Sequence, residues 1–263
     1  MSEFKQEVKS SIYDHPRYYD LLFGSDWKAE FDFFETCFQK HCPWPVGRIF
    51  EPACGTGRLL IKLANAGYAV SGNDLNAKAI DYCNNRLERF GHGRTAFVGD
   101  MSRFRLPRKV DAAFNTINSF RHLTTEAAAV AHLECMAAVL RKRGIYILGI
   151  HLEPTEGPRI DDEGWTARKG HLMINSYMWS KGVNRRRRIE TLGMIMDVHT
   201  PTKHMQIEDQ MKYRTYTHIQ FKSLVRKVPE LKVAETYDFA YDINQAIRIS
   251  PTTEDVVFIL QKQ

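Results

Sequence analysis

The stretch Ile49-Phe-Glu51-Pro-Ala53-Cys54-Gly55-Thr-Gly57-Arg58 constrains this chain more than any other. A short apolar run delivers an acidic residue into a loop with two close glycines, and Arg58-Leu-Leu-Ile-Lys-Leu-Ala then reads as a helix. Gly55 and Gly57 can take backbone angles closed to other residues and leave no Cβ in a ligand's way. The free N–H groups of the helix point back at that loop, which is how an α/β protein builds a nucleotide-shaped slot. An ordinary strand-to-helix turn would carry the same glycines, so the continuation has to decide.

After Gly67, Tyr68-Ala-Val-Ser-Gly-Asn-Asp74 reads as a second buried strand ending in an acid. A carboxylate at that place accepts hydrogen bonds from both ribose hydroxyls of a nucleoside. A dinucleotide signature would put glycine directly after the first strand and a third glycine at the helix start. This chain has Glu51-Pro52 and Arg58-Leu59 there, which disfavours NAD.

With these residues in place, the chain resembles the class I S-adenosylmethionine-dependent methyltransferases. Their first motif, an acid followed by x-G/A-x-G-x-G, is matched by Glu51-Pro-Ala53-Cys54-Gly55-Thr-Gly57, with Ala53 where glycine is more usual and Cys54 as a small filler. Asp74, followed by Leu75, matches the second-strand acid, and Gly99-Asp100-Met101 matches a third signature after Thr95-Ala-Phe-Val. The resemblance implies that Asp100 faces the adenine amino group and that Met101 packs on the ring. Asp111-Ala-Ala-Phe-Asn-Thr116-Ile-Asn118-Ser-Phe-Arg-His-Leu123 is similar to the fourth strand and following loop of the glycine N-methyltransferase group and related bacterial small-molecule N-methyltransferases. That likeness implies a backbone contact from Thr116 to the cofactor and a substrate contact from Asn118, although Asn118-Ser119 would also suit a helix cap.

Organisation follows the same lines. Residues 1–45 read as a helical cover, with helices from Tyr13 to Phe23 and Trp27 to Phe38 before a break at Pro43-Trp-Pro45. Residues 46–152 alternate strands and helices, the pattern of a doubly wound parallel sheet. From 163 to 216 the pattern changes to strands alone, at His171 to Ser180, Arg186 to Val198 and His204 to Tyr216. Residues 217–263 return to a helix and two strands. The expected fold is α/β, a doubly wound seven-stranded Rossmann-like methyltransferase sheet with an antiparallel β-meander inserted after strand five, in the same domain.

Charge and cysteine content narrow the partners. The formal charge of +6 would suit nucleic acid, but the excess sits in Arg141-Lys-Arg143, read as a helix end before Gly144, and in Arg185 to Arg188, read as a hairpin turn. Neither the Asn/Asp-Pro-Pro-aromatic motif of base-amino methyltransferases nor a Pro-Cys nucleophile is present, so nucleic acid is disfavoured. The five cysteines are odd in number and scattered, with no metal-ligand spacing. No apolar run has the length of a membrane span and the N-terminus lacks a signal-peptide core, so the cytoplasm is the expected location.

The reaction expected is methyl transfer from S-adenosyl-L-methionine to a small molecule. Nitrogen is the preferred acceptor; oxygen, RNA or a non-catalytic cofactor-binding module are the alternatives. A sulfonium methyl is already electrophilic, so the protein must chiefly hold a nucleophile in line and keep out water; no metal is required. His151, at the carboxyl end of the fifth strand, would orient the acceptor or take its proton. By resemblance, Tyr19 packs near the cofactor and Lys28 pairs with its carboxylate, within a covering segment from Tyr18 to Lys28 that includes Asp26. Tyr13 is a further cover candidate, while Arg188, Arg214 and Tyr216 would meet an anionic or sugar-like substrate. Monomer and homodimer are both compatible with the apolar strand faces.

Overall fold

The structure is a computed structural model that describes residues 5–25, 27–157, 159 and 162–263; Asp26 of the covering segment and the first four residues of the N-terminal region lie outside the described residues. In chain order the elements are β1 (Lys5–Lys9), α1 (Pro16–Phe23), α2 (Lys28–His41), β2 (Arg48–Pro52), α3 (Arg58–Asn65), β3 (Ala69–Asp74), α4 (Ala77–Arg89), β4 (Ala96–Val98) and β5 (Val110–Asn115). They continue as α5 (Glu126–Val139), β6 (Leu140–His151), β7 (Asp162–Lys169), β8 (Leu172–Asn184), β9 (Ile189–Thr200), β10 (Lys203–Arg214), α6 (His218–Val225), β11 (Leu231–Tyr237) and β12 (Asp255–Lys262).

Seven strands form a mixed sheet in the order β11-β12-β6-β5-β2-β3-β4. The strands from β2 to β6 run parallel and β12 enters antiparallel between β6 and β11. The chain order reverses beside β2, so the carboxyl ends of β2, β3 and β5 bound the crevice where open α/β sheets take ligands. Apolar side chains cover both faces. Phe50, Phe120, Leu133, Tyr146 and Phe258 pack on one face, and Phe34, Ile49, Leu60, Phe114 and Ile147 on the other. Neighbours in one strand point to opposite faces, so Ile49 and Phe50 serve two cores.

A second sheet, β1-β10-β9-β8-β7, lies between β6 and α6 in chain order apart from its first strand. Leu192, Met194, Met196 and Val198 alternate along β9 and bury one face against Ile12 and Leu22. The edge strands are those that the residue pattern did not announce. β1 pairs in parallel with β10, but Lys5-Gln-Glu-Val-Lys9 has one apolar residue and no alternating face. β7 pairs with β8 on the other edge and buries little of its length.

Three boundaries differ from expectation for local reasons. The helix expected from Tyr13 to Phe23 is split into a 3-10 turn, Ile12–Asp14, and α1, because Pro16 fits the first helical position but not a helix interior. Arg141 to Arg143 do not end a helix: α5 stops at Val139, Leu140 is extended, and these residues open β6. Arg141 donates to Asp111 Oδ1 at 2.6 Å and lies over the Trp44 ring, so its charge is engaged by the core's edge rather than by a helix end. Arg185 to Arg188 lie in the turn between β8 and β9, which therefore starts at Ile189.

Candidate active site

A cavity of about 450 Å³ opens at the carboxyl ends of β2 and β3, and a smaller one continues it between α1 and the ends of β2 and β5. Tyr19, Ala53, Gly55, Asp74, Leu75 and Met101 line the larger; Tyr19, Glu51, Ala53, Cys54, Gly55 and Thr116 are among those lining the smaller. The Asp74 carboxylate accepts from the N–H of Gly55 at 2.9 Å and of Asn76 at 2.8 Å, tying the end of β3 to the glycine loop. Burial holds its carboxyl above the ordinary range against the pull of these N–H donors. Leu75, which lines the larger cavity, is 71% exposed and gives it an apolar rim on the side away from β5.

The two glycines have different tasks. Both have positive φ, 52° at Gly55 and 70° at Gly57. A Cβ on Gly55 would meet nothing within 4 Å, whereas one on Gly57 would fall 2.3 Å from Cys83 Sγ. Gly55 therefore keeps the cavity open, and Gly57, which lines neither cavity, lets the loop pack on α4. Cys54 is 5% exposed and its thiol is pushed up, first by its hydrogen bond with Cys83 and then by burial, as suits a filler rather than a nucleophile.

Glu51 shows what the smaller cavity would take. Its Oε2 is buried without a hydrogen-bond partner, and burial raises the carboxyl well above the carboxylate range, opposed by Arg58. An ammonium group placed there would satisfy the oxygen. Met101 with Leu75 offers an apolar surface that an adenine would pack on, and Asp74 a carboxylate that ribose hydroxyls would donate to, so the residues present fit S-adenosylmethionine. Asp100 stands at the edge: it is exposed, its Oδ1 accepts from Ser102 N at 2.7 Å, and it lines neither cavity.

Lys28 does not join the site. It opens α2, where its ammonium pairs with Asp32 one turn on, 2.6 Å from Oδ2, and it lines neither cavity. A lysine at that helix end finds a carboxylate on its own exposed face before it can reach inward. Arg188, Arg214 and Tyr216 also fall outside both cavities. The two guanidiniums flank the Tyr216 ring, each 5.7 Å from its centroid, and converge on Glu126.

Asn118 and His151 meet at a third cavity, which Trp179, Tyr213, Glu153, Glu163 and Glu254 also line. Asn118 has φ 53° and makes no side-chain cap; its Oδ1 accepts from the His151 N–H at 2.7 Å, joining the catalytic-side loop to the end of β6. His151 Nδ1 contacts the Asp255 carboxylate, and the ring packs edge-on to Phe239. It belongs to the third cavity and does not face the cofactor-shaped one.

His122 was missed. Ser119–His122 form a 3-10 turn, in which residues three apart eclipse, so Ser119 and His122 both face the larger cavity while Phe120 is buried behind them. The His122 Nε2 lies 2.9 Å from the Tyr13 hydroxyl, and its ring meets Tyr213 edge-on at 4.7 Å. Burial, then Arg121, lowers its pKa to about 4, so the ring is neutral near pH 7. The three-residue spacing of Ser119 and His122 was the available signal.

Residues 49–144 match the family described as methyltransferase domain. A putative methyltransferase, YqeM of Bacillus subtilis (strain 168), is 26% identical over 114 residues, which are 40% of this chain and 42% of that protein's length. Among solved structures, an S-adenosylmethionine-dependent methyltransferase from Clostridium acetobutylicum ATCC 824 superposes with a TM-score of 0.76 at 16% identity, covering 94% of this chain and 97% of that one. The sugar N-methyltransferase KedS8 from Streptoalloteichus sp. ATCC 53650 gives 0.74 at 13% identity, covering 100% and 97%. CalS10, an amino pentose methyltransferase from Micromonospora echinaspora, was solved with S-adenosylmethionine bound; it gives 0.70 at 18% identity, covering 97% and 98%. Residues 49–144 thus match a methyltransferase domain, and the chain shares the α/β fold of solved S-adenosylmethionine-dependent methyltransferases.

Proposed function

We propose that the chain transfers a methyl group from S-adenosylmethionine to the nitrogen of a small amine, with an amino sugar as the leading acceptor class. Asp74 holds the ribose, Met101 and Leu75 bound the adenine, and Tyr19 closes the methionine side. The bound cofactor supplies the electrophilic methyl group. The residues of this chain bring the nucleophile to it and manage one proton.

The third cavity carries the preference for nitrogen. Burial raises the carboxyls of Glu163 and Glu254 there above the ordinary range, partly offset by His151. Such carboxylates favour a cationic guest. An amine arriving as ammonium is drawn toward Asn118, and it must lose a proton before it can attack. His122, neutral and hydrogen-bonded to Tyr13 beside Tyr213, has too low a pKa to take that proton near pH 7. It instead orients the neutral amine, and the proton leaves to the raised carboxyls of Glu163 and Glu254 or to solvent. A neutral amine held there would be the nucleophile for the methyl group that the cofactor would supply. The antiparallel strands of the second sheet serve as a lid over this acceptor site, and an amino-sugar acceptor is in keeping with the structural likeness to an amino pentose methyltransferase and a sugar N-methyltransferase.

A labelled methyl-transfer assay across amino sugars, simple amines, phenols and carboxylates tests this reading. Amines should be methylated, and His122→Asn should lower kcat by about 10- to 100-fold at pH 7 through lost orientation of the amine. Turnover confined to phenols or carboxylates, or an unaffected His122 variant, would sink it.

A further inference from the structure

The arginine run at residues 185–188 lines none of the three cavities, yet it borders an open groove of about 990 Å³ at the turn between β8 and β9. Lys181, Arg187, Lys212 and Arg214 line this groove, and Glu126 is the one acid among the described residues that do. Thr125 caps the amino end of α5 there, where the helix dipole adds positive potential. Arg188 donates to Glu126 Oε2 at 2.8 Å, Lys227 donates to its Oε1, and an Arg214 nitrogen stands 3.6 Å from Oε2. Three cations share one carboxylate, so two of their positive charges are unmatched.

Arg214 has a donor to spare. It is 7% exposed, its Nη1 donates to the Thr124 carbonyl at 3.0 Å, and its Nε is buried with no hydrogen-bond partner. A buried N–H of that kind costs free energy until an acceptor reaches it. Burial lowers the Arg214 pKa, with Arg188 adding to the effect and Tyr216 and Glu126 opposing it, and an added anion would offset the loss. The groove is separate from the acceptor cavity. Leu192 and Tyr213 line that cavity, whereas Thr191, Lys212 and Arg214, their neighbours along β9 and β10, line the groove on the other face of the second sheet.

We propose that this groove is a second ligand site and that it takes the phosphate group of a phosphate monoester, with Arg214 as the principal contact. Such a group carries a charge of about −1.5 to −2 near pH 7, which answers the two unmatched cations. Its oxygens suit a guanidinium fork, and the exposed Arg187 and Lys212 add attraction from the rim. Glu126 competes for the same cations. A diester strand fits less well, since no aromatic residue is among those lining the groove and bases would have nothing to stack on.

Calorimetric titration at low salt with glucose 6-phosphate, and with glucose as the uncharged control, tests the site. The phosphate should bind with a Kd of about 1 mM or tighter, and glucose should not bind. Arg214→Gln should weaken the phosphate by about 10-fold or more, whereas Lys28→Gln, which removes an exposed cation of α2, should change it by less than about twofold. Glu126→Gln frees the cations and should tighten binding by about threefold or more, which a structural role for Glu126 would not do. No binding by the wild type, unchanged affinity in Arg214→Gln, weaker binding in Glu126→Gln, or an equal loss in Lys28→Gln overturns the proposal. So does tighter, equally Arg214-dependent binding of a single-stranded RNA oligonucleotide, which would make a diester strand the occupant. If Arg214→Gln does not fold, Arg188→Gln, with the same loss expected, and Glu126→Gln decide. S-adenosylhomocysteine affinity in the same proteins should stay within about twofold, so this site and the methyl-donor reading fail separately.

Discussion

Gly55 and Gly57 sit two residues apart with similar positive φ, and their replacement by alanine should have opposite consequences. The Cβ of Gly57→Ala collides with Cys83 Sγ, so the variant should lose about 1–3 kcal/mol of stability in urea unfolding, much of it restored by adding Cys83→Ala. Gly55→Ala meets no neighbour and carries only the strain of a left-handed alanine, about 1 kcal/mol, but its methyl group enters the cavity. Its loss should appear in cofactor affinity. Equal stability losses in both, or no rescue by Cys83→Ala, would refute the division. The loop's ligand-facing character was legible because small residues and an acid at fixed offsets constrain backbone approach. Gly57's packing against Cys83 was not, because residues 57 and 83 meet only once α3 and α4 pack. The engagement of Lys28 was legible, since the helix expected from Trp27 puts Asp32 one turn on and on the same exposed face.

At the scale of elements, α1 crosses from one sheet to the other and needs latches at both ends. Phe23 packs edge-on to Trp165 of β7, and Asp20 pairs with Arg86 of α4 and accepts from Tyr82. The pair is largely covered, so breaking it leaves a charge in poor surroundings. Asp20→Asn should speed cofactor dissociation by about 10-fold in stopped-flow while the urea midpoint of the core changes little. A slowed or unchanged dissociation would show that α1 does not gate the pocket. Core elements such as β2, β3 and β9 could be read because buried strands carry continuous or alternating apolar runs. β1 and β7 could not: an edge strand uses half its backbone bonds and needs few apolar residues, so Lys5 to Lys9 looks like any polar segment. The second sheet's partner choice, a parallel pairing of the N-terminus with β10, is a contact between residues some 200 apart with no local signature.

For the whole molecule, one fully buried histidine couples the adenine platform to folding. His132 lies 2.8 Å from the Met101 carbonyl through Nδ1 and 2.9 Å from the Tyr146 hydroxyl through Nε2. A carbonyl only accepts, so Nδ1 carries the proton and Nε2 accepts from Tyr146; the ring is neutral. Burial drives its pKa down to about 4, opposed by the Met101 carbonyl and by Asp100. The unfolded chain binds a proton near pH 6.5 that the folded chain refuses until about 4. His132 therefore costs no stability above pH 6.5, and its penalty grows as pH falls toward 4, reaching about 3 kcal/mol. Glu51 acts with the opposite sign, since its raised carboxyl takes up protons first in the folded state. The total slope mixes such terms, whereas a difference between variants isolates one. Denaturant unfolding of wild type and His132→Gln at pH 7 and pH 5 should show the variant less stable at pH 7 and the gap narrowing by about 2 kcal/mol at pH 5. Met101 loses its anchor in that variant, so cofactor affinity should fall at pH 7 as well. Parallel stability changes at the two pH values would mean that His132 is protonated inside the fold and that the adenine platform is held by other contacts.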